Sequence, residues 1–325
     1  METSAPINAL IDKGSFLQIE CDPACGITAA FASIASRPVT MLIFGAAIKG
    51  ARAAHVMEVL LQKTLQTGTP LIMVFTENET SDDMKPIWAV LPQIIRLSGV
   101  CPIISLSLRE EGIVANSFLP YADFCIFAEG IHENTASNIQ AVDHAGAVEK
   151  LRSLLYSLPL NCAENVPNSE CDSRKVKHAS GQYANPAARI ADAGSVIEIY
   201  KDSHVHVAFI RACGKNAAVI SSANGSIPHH TTRFIQFCDC YSIPLIVIAE
   251  DILTLSALQM FMLSQATSGK ILFGETSNGS SVFDFVFSKQ SHDDASTREK
   301  AARSIECLSV KRDVLPPHKH GNLPL

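Results

Sequence analysis

Short apolar runs alternate with amphipathic runs along the first half of the chain. The apolar runs are rich in β-branched residues, which predicts buried strands, and apolar positions three and four residues apart predict helices between them. A strand-helix-strand order indicates parallel strands joined by right-handed crossovers. The predicted strands cover residues 38–44, 70–75 and 101–106, and the predicted helices cover residues 53–66, 87–97 and 147–156.

The second half of the chain repeats this pattern. Leu10-Ile-Asp-Lys-Gly-Ser and Ile190-Ala-Asp-Ala-Gly-Ser carry the same Asp, Gly and Ser at the same spacing. Repeats in matching order indicate a duplicated domain. The predicted strands of the second half cover residues 206–210, 217–221, 243–249 and 270–273, and its helices cover residues 232–241 and 293–308.

The duplication predicts two domains joined by a linker. Residues 161–181 are polar and contain Pro, Asn, Ser and mixed charges, which is typical of a linker. We therefore expect an N-terminal domain over residues 1–160 and a C-terminal domain over residues 182–325. A chain of 325 residues is long enough to give each domain a core of its own.

Composition and charge exclude several classes of partner. The net charge is −6 and no basic stripe is present, which argues against nucleic acid. No apolar run reaches the roughly 18 residues that a membrane helix needs. The N-terminus carries no secretory or transit signal, which favours the cytoplasm and leaves a mitochondrial or other organelle matrix open.

The ten cysteines do not form a metal-binding pattern. Cys21 and Cys25 lack a second pair at zinc-site spacing, as do Cys238 and Cys240. Cys238 and Cys240 also fall in a predicted helix, where positions two apart face different directions. We therefore predict no metal site and expect reduced, mostly buried thiols.

Several segments, in order through both halves, resemble one known family. They are Leu10-Ile-Asp-Lys-Gly-Ser-Phe, residues 147–159, residues 232–239, Ile243-Pro-Leu and the ending, residues 315–325. Together they resemble the carboxyltransferase β subunits of biotin-dependent acyl-CoA carboxylases, most nearly the propionyl-CoA carboxylase type. Compared with that family, the chain is shortened in both halves.

The resemblance implies an α/β fold of tandem duplicated crotonase-like (ClpP/crotonase) ββα-superhelix domains. In the family, backbone N–H groups of one half stabilise the enolate of an acyl-CoA thioester, and those of the other half stabilise the ureido oxygen of biotin. Such donors must lie about 2.7–3.1 Å from the developing charge. The ligands implied are acyl-CoA and carrier-borne biotin. No Ala-Met-Lys-Met-type motif is present, so we expect no covalently bound biotin.

The family's glycine-rich catalytic turns differ in this chain. Arg109-Glu-Glu-Gly-Ile-Val stands where the family has Gly-Pro-x-Ala-Gly-Gly, and Thr76-Glu-Asn-Glu-Thr-Ser replaces Asp-Ser-Gly-Gly-Ala-Arg. Ala46-Ala-Ile-Lys-Gly replaces Phe-Gly-Gly-Ser-x-Gly, and Asp251-Ile-Leu-Thr-Leu-Ser-Ala replaces Gly-Phe-x-Pro-Gly. The residues expected to pack the core are retained, whereas the turns that carry chemistry are not.

Gly112, Ile113 and Val114 mark the degenerate oxyanion-hole position. Their backbone amides need access rather than glycine, so they remain candidate catalytic donors. Glu110 and Glu111 would oppose negative charge developing beside them.

Lys49 and Arg52 lie near the start of a predicted helix and are candidate contacts for CoA phosphates.

Three functions remain open from the sequence. The first is a non-catalytic paralogue that scaffolds or regulates a carboxylase, as a homo-oligomer or as a hetero-oligomer with carboxylase subunits. The second is an active, divergent carboxyltransferase or decarboxylase on an acyl-CoA or acyl-carrier substrate. The third is a module that binds CoA-like molecules without turnover.

Overall fold

The chain forms two compact units that divide between Cys162 and Ala163. The predicted linker, residues 161–181, lies largely outside the described residues, so its limits and those of the two domains stay predictions. A computed structural model describes residues 5–21, 24–109, 112–128, 138–168, 186–201, 205–222, 227, 231–251, 255–275, 280–288 and 294–314.

The first unit is built on a mixed β-sheet. Its strands are β1 (Leu17–Cys21), β2 (Ile27–Ile34), β3 (Arg37–Phe44), β4 (Ala47–Ile48), β5 (Leu71–Phe75), β6 (Thr80–Ser81), β7 (Ile103–Ser107), β8 (Phe124–Phe127) and β9 (Asn138–Gln140). The sheet has the order β1-β2-β3-β5-β7-β8-β9, and β4 pairs separately with β6. Pairing is antiparallel from β1 to β3 and parallel from β3 to β9. The predicted parallel strands are thereby confirmed, whereas the sequence pattern does not predict the antiparallel β1 and β2.

Helices connect the strands of the first unit. They are α1 (Ala5–Leu10), α2 (Gly50–Thr67), α3 (Lys85–Trp88), α4 (Leu91–Leu97), α5 (Ile113–Phe118) and α6 (His144–Ser157). The continuous helix predicted over residues 87–97 is wrong, because α3 and α4 are separate helices with Ala89 and Val90 between them. Pro92 lies in the first turn of α4, a position at which a helix begins more readily than it continues.

The second unit repeats this plan. Its elements are α7 (Pro186–Ile190), β10 (Ile197–Lys201), β11 (Val205–Ala212), β12 (Lys215–Ser222), α8 (Thr231–Cys240), β13 (Leu245–Asp251), α9 (Ala257–Gln265), β14 (Lys270–Glu275), β15 (Phe285–Phe287) and α10 (Asp294–Val314). The strands follow one another in chain order, antiparallel from β10 to β12 and parallel from β12 to β15. The predicted duplication is therefore present in the sheets.

The repeated Asp-x-Gly-Ser motif holds a hairpin turn in the first unit. Ala35 and Ser36, between β2 and β3, adopt the left-handed conformation with φ of 52° and 62°. Their amides donate to the two carboxylate oxygens of Asp12 at 3.2 and 2.6 Å. Ser15 Oγ accepts from the amide of Ser33 at 3.0 Å and donates to the carbonyl of Asp12 at 2.7 Å.

The second copy of the motif makes the same contacts. The amides of Cys213 and Gly214, with φ of 47° and 78°, donate to the carboxylate of Asp192 at 2.8 and 2.9 Å. Ser195 Oγ accepts from the amide of Arg211 at 3.2 Å and donates to the carbonyl of Asp192 at 2.7 Å. The most visible sequence repeat is thus a structural clamp on the β2–β3 and β11–β12 turns.

The core of each unit consists of apolar side chains on the sheet and its helices. In the second unit Ile210, Val219, Ile246 and Ile271 pack with Ile305 of α10 in one buried cluster. Among the described cysteines, Cys25, Cys101, Cys125 and Cys238 are buried and form no disulfide, whereas Cys307 is exposed. The described residues contain no group of three or more His, Cys, Asp or Glu side chains able to hold a metal ion. No helix in the described part of the chain is long and apolar enough to cross a membrane.

Candidate functional site

The parallel strands β3, β5 and β7 end at the same edge of the first sheet. Phe44, Phe75 and Ser107 are register partners at their carboxyl ends. Ligands of open α/β sheets bind beyond the carboxyl ends of the strands, so this edge is the expected place for a site. The three turns that leave it are the ones in which the sequence departs from the family's glycine-rich pattern.

Aromatic packing fixes α5 to this edge. The rings of Phe44 and Phe75 stack with their centroids 4.6 Å apart, and Phe118 of α5 lies 5.7 Å from Phe44. All three side chains are buried, so α5 and the residue that precedes it, Gly112, have a defined position over the strand ends.

The turn after β5 is anchored on the turn after β3. Thr80 and Ser81 form the short parallel pair with Ala47 and Ile48. The Thr80 amide donates to the carbonyl of Ala46 at 2.8 Å, and its hydroxyl donates to the same oxygen at 3.1 Å. These bonds hold residues 76–83, which we call the acidic loop, against residues 45–50.

Glu79 of the acidic loop occupies the predicted oxyanion-hole position. The Gly112 N–H donates to Glu79 Oε2 at 2.9 Å, and Glu79 is fully buried. The backbones also meet closely, because a Cβ atom at position 112 would lie 2.1 Å from the Glu79 carbonyl oxygen and 2.3 Å from its nitrogen. Only glycine fits at position 112 while the acidic loop keeps this place.

Asp82 of the acidic loop makes a second bond of the same kind. The Gly50 N–H, in the first turn of α2, donates to Asp82 Oδ1 at 2.8 Å. Lys49 Nζ lies 3.6 Å from Asp82 Oδ2. The Gly50 amide, with the Lys49 ammonium adding to it, holds the pKa of Asp82 below its ordinary value. A Cβ atom on Gly50 would lie 2.0 Å from the carbonyl oxygen of Asp83, so glycine is required here as well.

The other predicted site residues that the structure describes lie in different surroundings and do not form one cluster with Glu79 and Gly112. Val114 is buried, whereas the Ile113 side chain is 53% exposed. Lys49 pairs with Asp82, and Arg52 lies exposed on the first turn of α2. Glu110 and Glu111 fall outside the described residues, so their predicted opposition to negative charge stays a prediction.

Exposed apolar side chains lie on α5 and against it. Trp88 of α3 is 49% exposed, and its Nε1 donates to Ser117 Oγ at 3.2 Å. Ser117 Oγ donates in turn to the carbonyl of Ile113 at 2.9 Å. Trp88 and Ile113 therefore place apolar surface on α5, the helix that begins directly after Gly112.

Sequence reasoning missed the roles of Glu79 and Asp82. The acidic character of the turn is visible in the sequence as Thr-Glu-Asn-Glu-Thr-Ser-Asp-Asp over residues 76–83. Its partners are 32 and 33 positions away along the chain, at Gly50 and Gly112, so no local pattern identifies them. The corresponding turns of the second unit, residues 223–226, 228–230, 252–254 and 276–279, lie outside the described residues.

Solved structures with a similar fold are carboxyltransferase components. Transcarboxylase 12S, solved as a hexamer assembly with methylmalonyl-coenzyme A and methylmalonic acid bound, matches with a TM-score of 0.75 and 18% identity over 98% of this chain and 92% of that chain. A second transcarboxylase 12S structure, with hydrolysed methylmalonyl-coenzyme A, gives the same values. A single-chain, multi-domain long-chain acyl-CoA carboxylase matches with a TM-score of 0.63 and 14% identity, over 82% of this chain and 36% of that chain.

In sequence, no protein-family model and no curated protein matches the chain. At these identities the solved structures show the fold alone. The predicted fold class is confirmed: the chain has the crotonase-type α/β fold of the carboxyltransferase subunits of acyl-CoA carboxylases.

Proposed function

We propose that the chain is a non-catalytic relative of the carboxyltransferase β subunits, nearest to the propionyl-CoA carboxylase type, that serves as a scaffold or regulatory subunit of a carboxylase assembly. Its partners are further copies of itself or catalytic carboxylase subunits. Any biotin involved arrives on a carrier protein, and acyl-CoA is handled by the partner rather than by this chain. The cytoplasm or an organelle matrix remains the predicted compartment.

One observation supports the proposed loss of catalysis. The turn amides of Gly50 and Gly112 are bonded to carboxylates of the chain itself, Asp82 and Glu79. Carboxyl transfer through an enolate needs such an amide to be open and aimed at the developing oxyanion. A buried carboxyl group at the same place takes the amide that a substrate oxygen would need.

The role in assembly has separate support. Transcarboxylase 12S, the neighbour that matches 98% of this chain, was solved as a hexamer assembly. Large apolar side chains are exposed in each unit here, namely Trp88 in the first and Leu258 with Phe261 on α9 of the second. Leu258 and Phe261 are three residues apart and share one face of α9, and an exposed apolar patch is typical of contact with another chain.

The proposal is tested by calorimetric titration with acetyl-, propionyl- and malonyl-CoA, with the mass in solution measured on the same sample. We expect an oligomeric mass and no saturable heat up to millimolar ligand, and transcarboxylase 12S with methylmalonyl-CoA serves as the positive control. Saturable binding in the micromolar range would contradict the proposal. It would favour the alternative, an active carboxyltransferase or decarboxylase, which assays of carboxyl transfer would then separate from a binding module without turnover.

A further inference from the structure

We propose that Glu79 is an internal plug that closes a latent acyl-thioester site in the first unit. This inference rests on the proposed function and adds a cause to it. The amide arrangement for binding a thioester oxygen persists at Gly112, and a single carboxylate side chain fills it.

The Glu79–Gly112 bond has the geometry of an oxyanion-hole contact. Glu79 Oε2 lies 2.9 Å from the Gly112 nitrogen, within the range of about 2.7–3.1 Å required of an oxyanion-hole donor. A carboxylate oxygen and an enolate oxygen both carry negative charge and both accept from a backbone N–H. The side chain of Glu79 therefore satisfies the amide in the way a bound thioester enolate would.

Glycine remains at position 112. Elsewhere in this turn the family's glycines are replaced. At position 112 the backbone of Glu79 comes so close that a side chain would not fit, which requires glycine. The side chain of Asn116, one turn further along α5, donates through Nδ2 to the Gly112 carbonyl at 3.1 Å, and its backbone N–H donates to the same oxygen at 3.2 Å. These bonds hold the peptide between Gly112 and Ile113, so α5 anchors Gly112 on the side away from the amide that Glu79 accepts from.

The acidic loop does not depend on the Glu79 side chain for its position. Two backbone bonds tie it to the turn after β3, from Thr80 to the Ala46 carbonyl at 2.8 Å and from Asp82 to the Ile48 carbonyl at 3.3 Å. The bond from Gly50 to Asp82 adds a third anchor at 2.8 Å. Shortening Glu79 should therefore uncover the Gly112 amide and leave the loop where it is.

The surroundings of Gly112 indicate which class of ligand the uncovered amide would bind. Ile113, 53% exposed, follows Gly112 directly, and Trp88, 49% exposed, contacts the same helix, α5, through Ser117. An acyl thioester combines an oxygen that accepts from an amide with an apolar acyl group that contacts apolar surface. The class of ligand is therefore an acyl thioester with a short apolar chain, and propionyl-CoA is the probe we choose.

The test compares propionyl-CoA binding by the full-length wild-type protein and three variants. Glu79→Ala removes the plug, and Glu79→Gln keeps its size and an acceptor oxygen. Glu77→Ala removes the same charge from an exposed position of the same loop. We expect binding by Glu79→Ala to be at least about tenfold stronger than by the wild type, the equivalent of one hydrogen bond to a charged group. Glu79→Gln and Glu77→Ala should match the wild type.

Acetate provides a second measurement on the same variants. Acetate replaces the missing carboxylate, so it should raise the melting temperature of Glu79→Ala and leave that of Glu77→Ala unchanged. A folded Glu79→Ala that responds to neither propionyl-CoA nor acetate overturns the plug. If Glu79→Ala is unfolded, Glu79→Asp takes its place, because its carboxylate is withdrawn by one methylene, and a folded Glu79→Asp without a gain in binding overturns the plug equally.

The two proposals fail in different ways. Saturable binding of propionyl-CoA by the wild type contradicts the non-catalytic function. A wild type and a Glu79→Ala variant that both fail to bind leave that function standing and contradict only the plug.

Discussion

Acidic side chains of this chain hold backbone amides at several turns. Asp12 and Asp192 hold the hairpin turns, and Glu79 holds Gly112. Asp123 Oδ2 accepts from the amide of Ile103 at 2.8 Å, and Asp284 Oδ2 accepts from that of Lys270 at 2.9 Å. A carboxylate that accepts from backbone N–H groups satisfies turn amides that strands and helices leave over. These acidic residues thus bind backbone amides of the chain, although a sequence motif of acidic residues in turns would suggest a catalytic or ligand-binding role.

The clamp at Asp12 predicts a defined dependence of stability on pH. Burial alone would raise the pKa of Asp12, but the bonds from the Ser36 amide and the Arg152 guanidinium outweigh it and hold the pKa below its ordinary value. A depressed folded pKa means that ionised Asp12 stabilises the fold above the unfolded pKa of about 3.9, and that this contribution is lost as the pH falls through the folded pKa.

The variant Asp12→Asn tests this dependence. We expect it to lower the free energy of unfolding by about 1–2 kcal/mol at pH 7, a bond to a charged group discounted for partial exposure. The difference from the wild type should shrink as the pH falls below about 4. Urea unfolding at a series of pH values measures it, with Glu77→Gln, at an exposed acid, as the control. A difference that stays constant down to pH 2 would contradict the clamp.

At the scale of elements, strands with continuous apolar runs were predictable and those without them were not. The parallel strands β5 and β7 are buried along their whole predicted length, β3 is buried over most of it, and their pattern is local. Strand β2 reads Ile-Thr-Ala-Ala-Phe-Ala-Ser-Ile over residues 27–34, an alanine-rich sequence with weak strand preference. It forms because β3 offers it an antiparallel partner along all eight residues, which no local pattern shows.

The candidate site also has one part that was predictable from the sequence and one that was not. Gly112 was identifiable from sequence, since a turn glycine after a buried strand is a local feature. The acidic loop was not, because β6 has only two residues and exists through its pairing with β4. Once that pairing is formed, the positions of Glu79 and Asp82 follow from it.

The β4–β6 pairing can be tested through the Gly112 amide. Thr80→Pro removes the N–H that donates to the Ala46 carbonyl, and should loosen the acidic loop. We expect hydrogen exchange at the Gly112 amide to accelerate by at least about tenfold, the equivalent of one lost hydrogen bond. Thr80→Val keeps the N–H and removes only the hydroxyl, so it is the matched control. Equal exchange in Thr80→Pro and the wild type would show that the loop is held by other contacts.

At the scale of the whole molecule, duplication has produced two units that each carry a sheet, a core and a clamp. Among the described residues, the hydrogen-bond partners of the Asp12 carboxylate lie in the first unit, and those of the Asp192 carboxylate lie in the second. Each clamp also has an arginine: Arg152 bonds Asp12 at 2.9 Å, and Arg211 bonds Asp192 at 3.3 Å. The arginines come from different places, from α6 in the first unit and from β11 in the second, so the units have diverged around a shared contact.

Separate cores and separate clamps predict that damage to one unit stays in that unit. In Asp12→Asn, hydrogen exchange should accelerate in peptides that contain the β2–β3 turn and stay unchanged in those that contain the β11–β12 turn. Asp192→Asn should give the reverse pattern, and the effects of the double variant should add because the hydrogen bonds described at the two carboxylates involve different residues. Mass spectrometry of peptides from the full-length protein resolves the two regions in one experiment. Acceleration in both regions of either single variant would show that the units are energetically coupled, and stability would then have to be assigned to the pair.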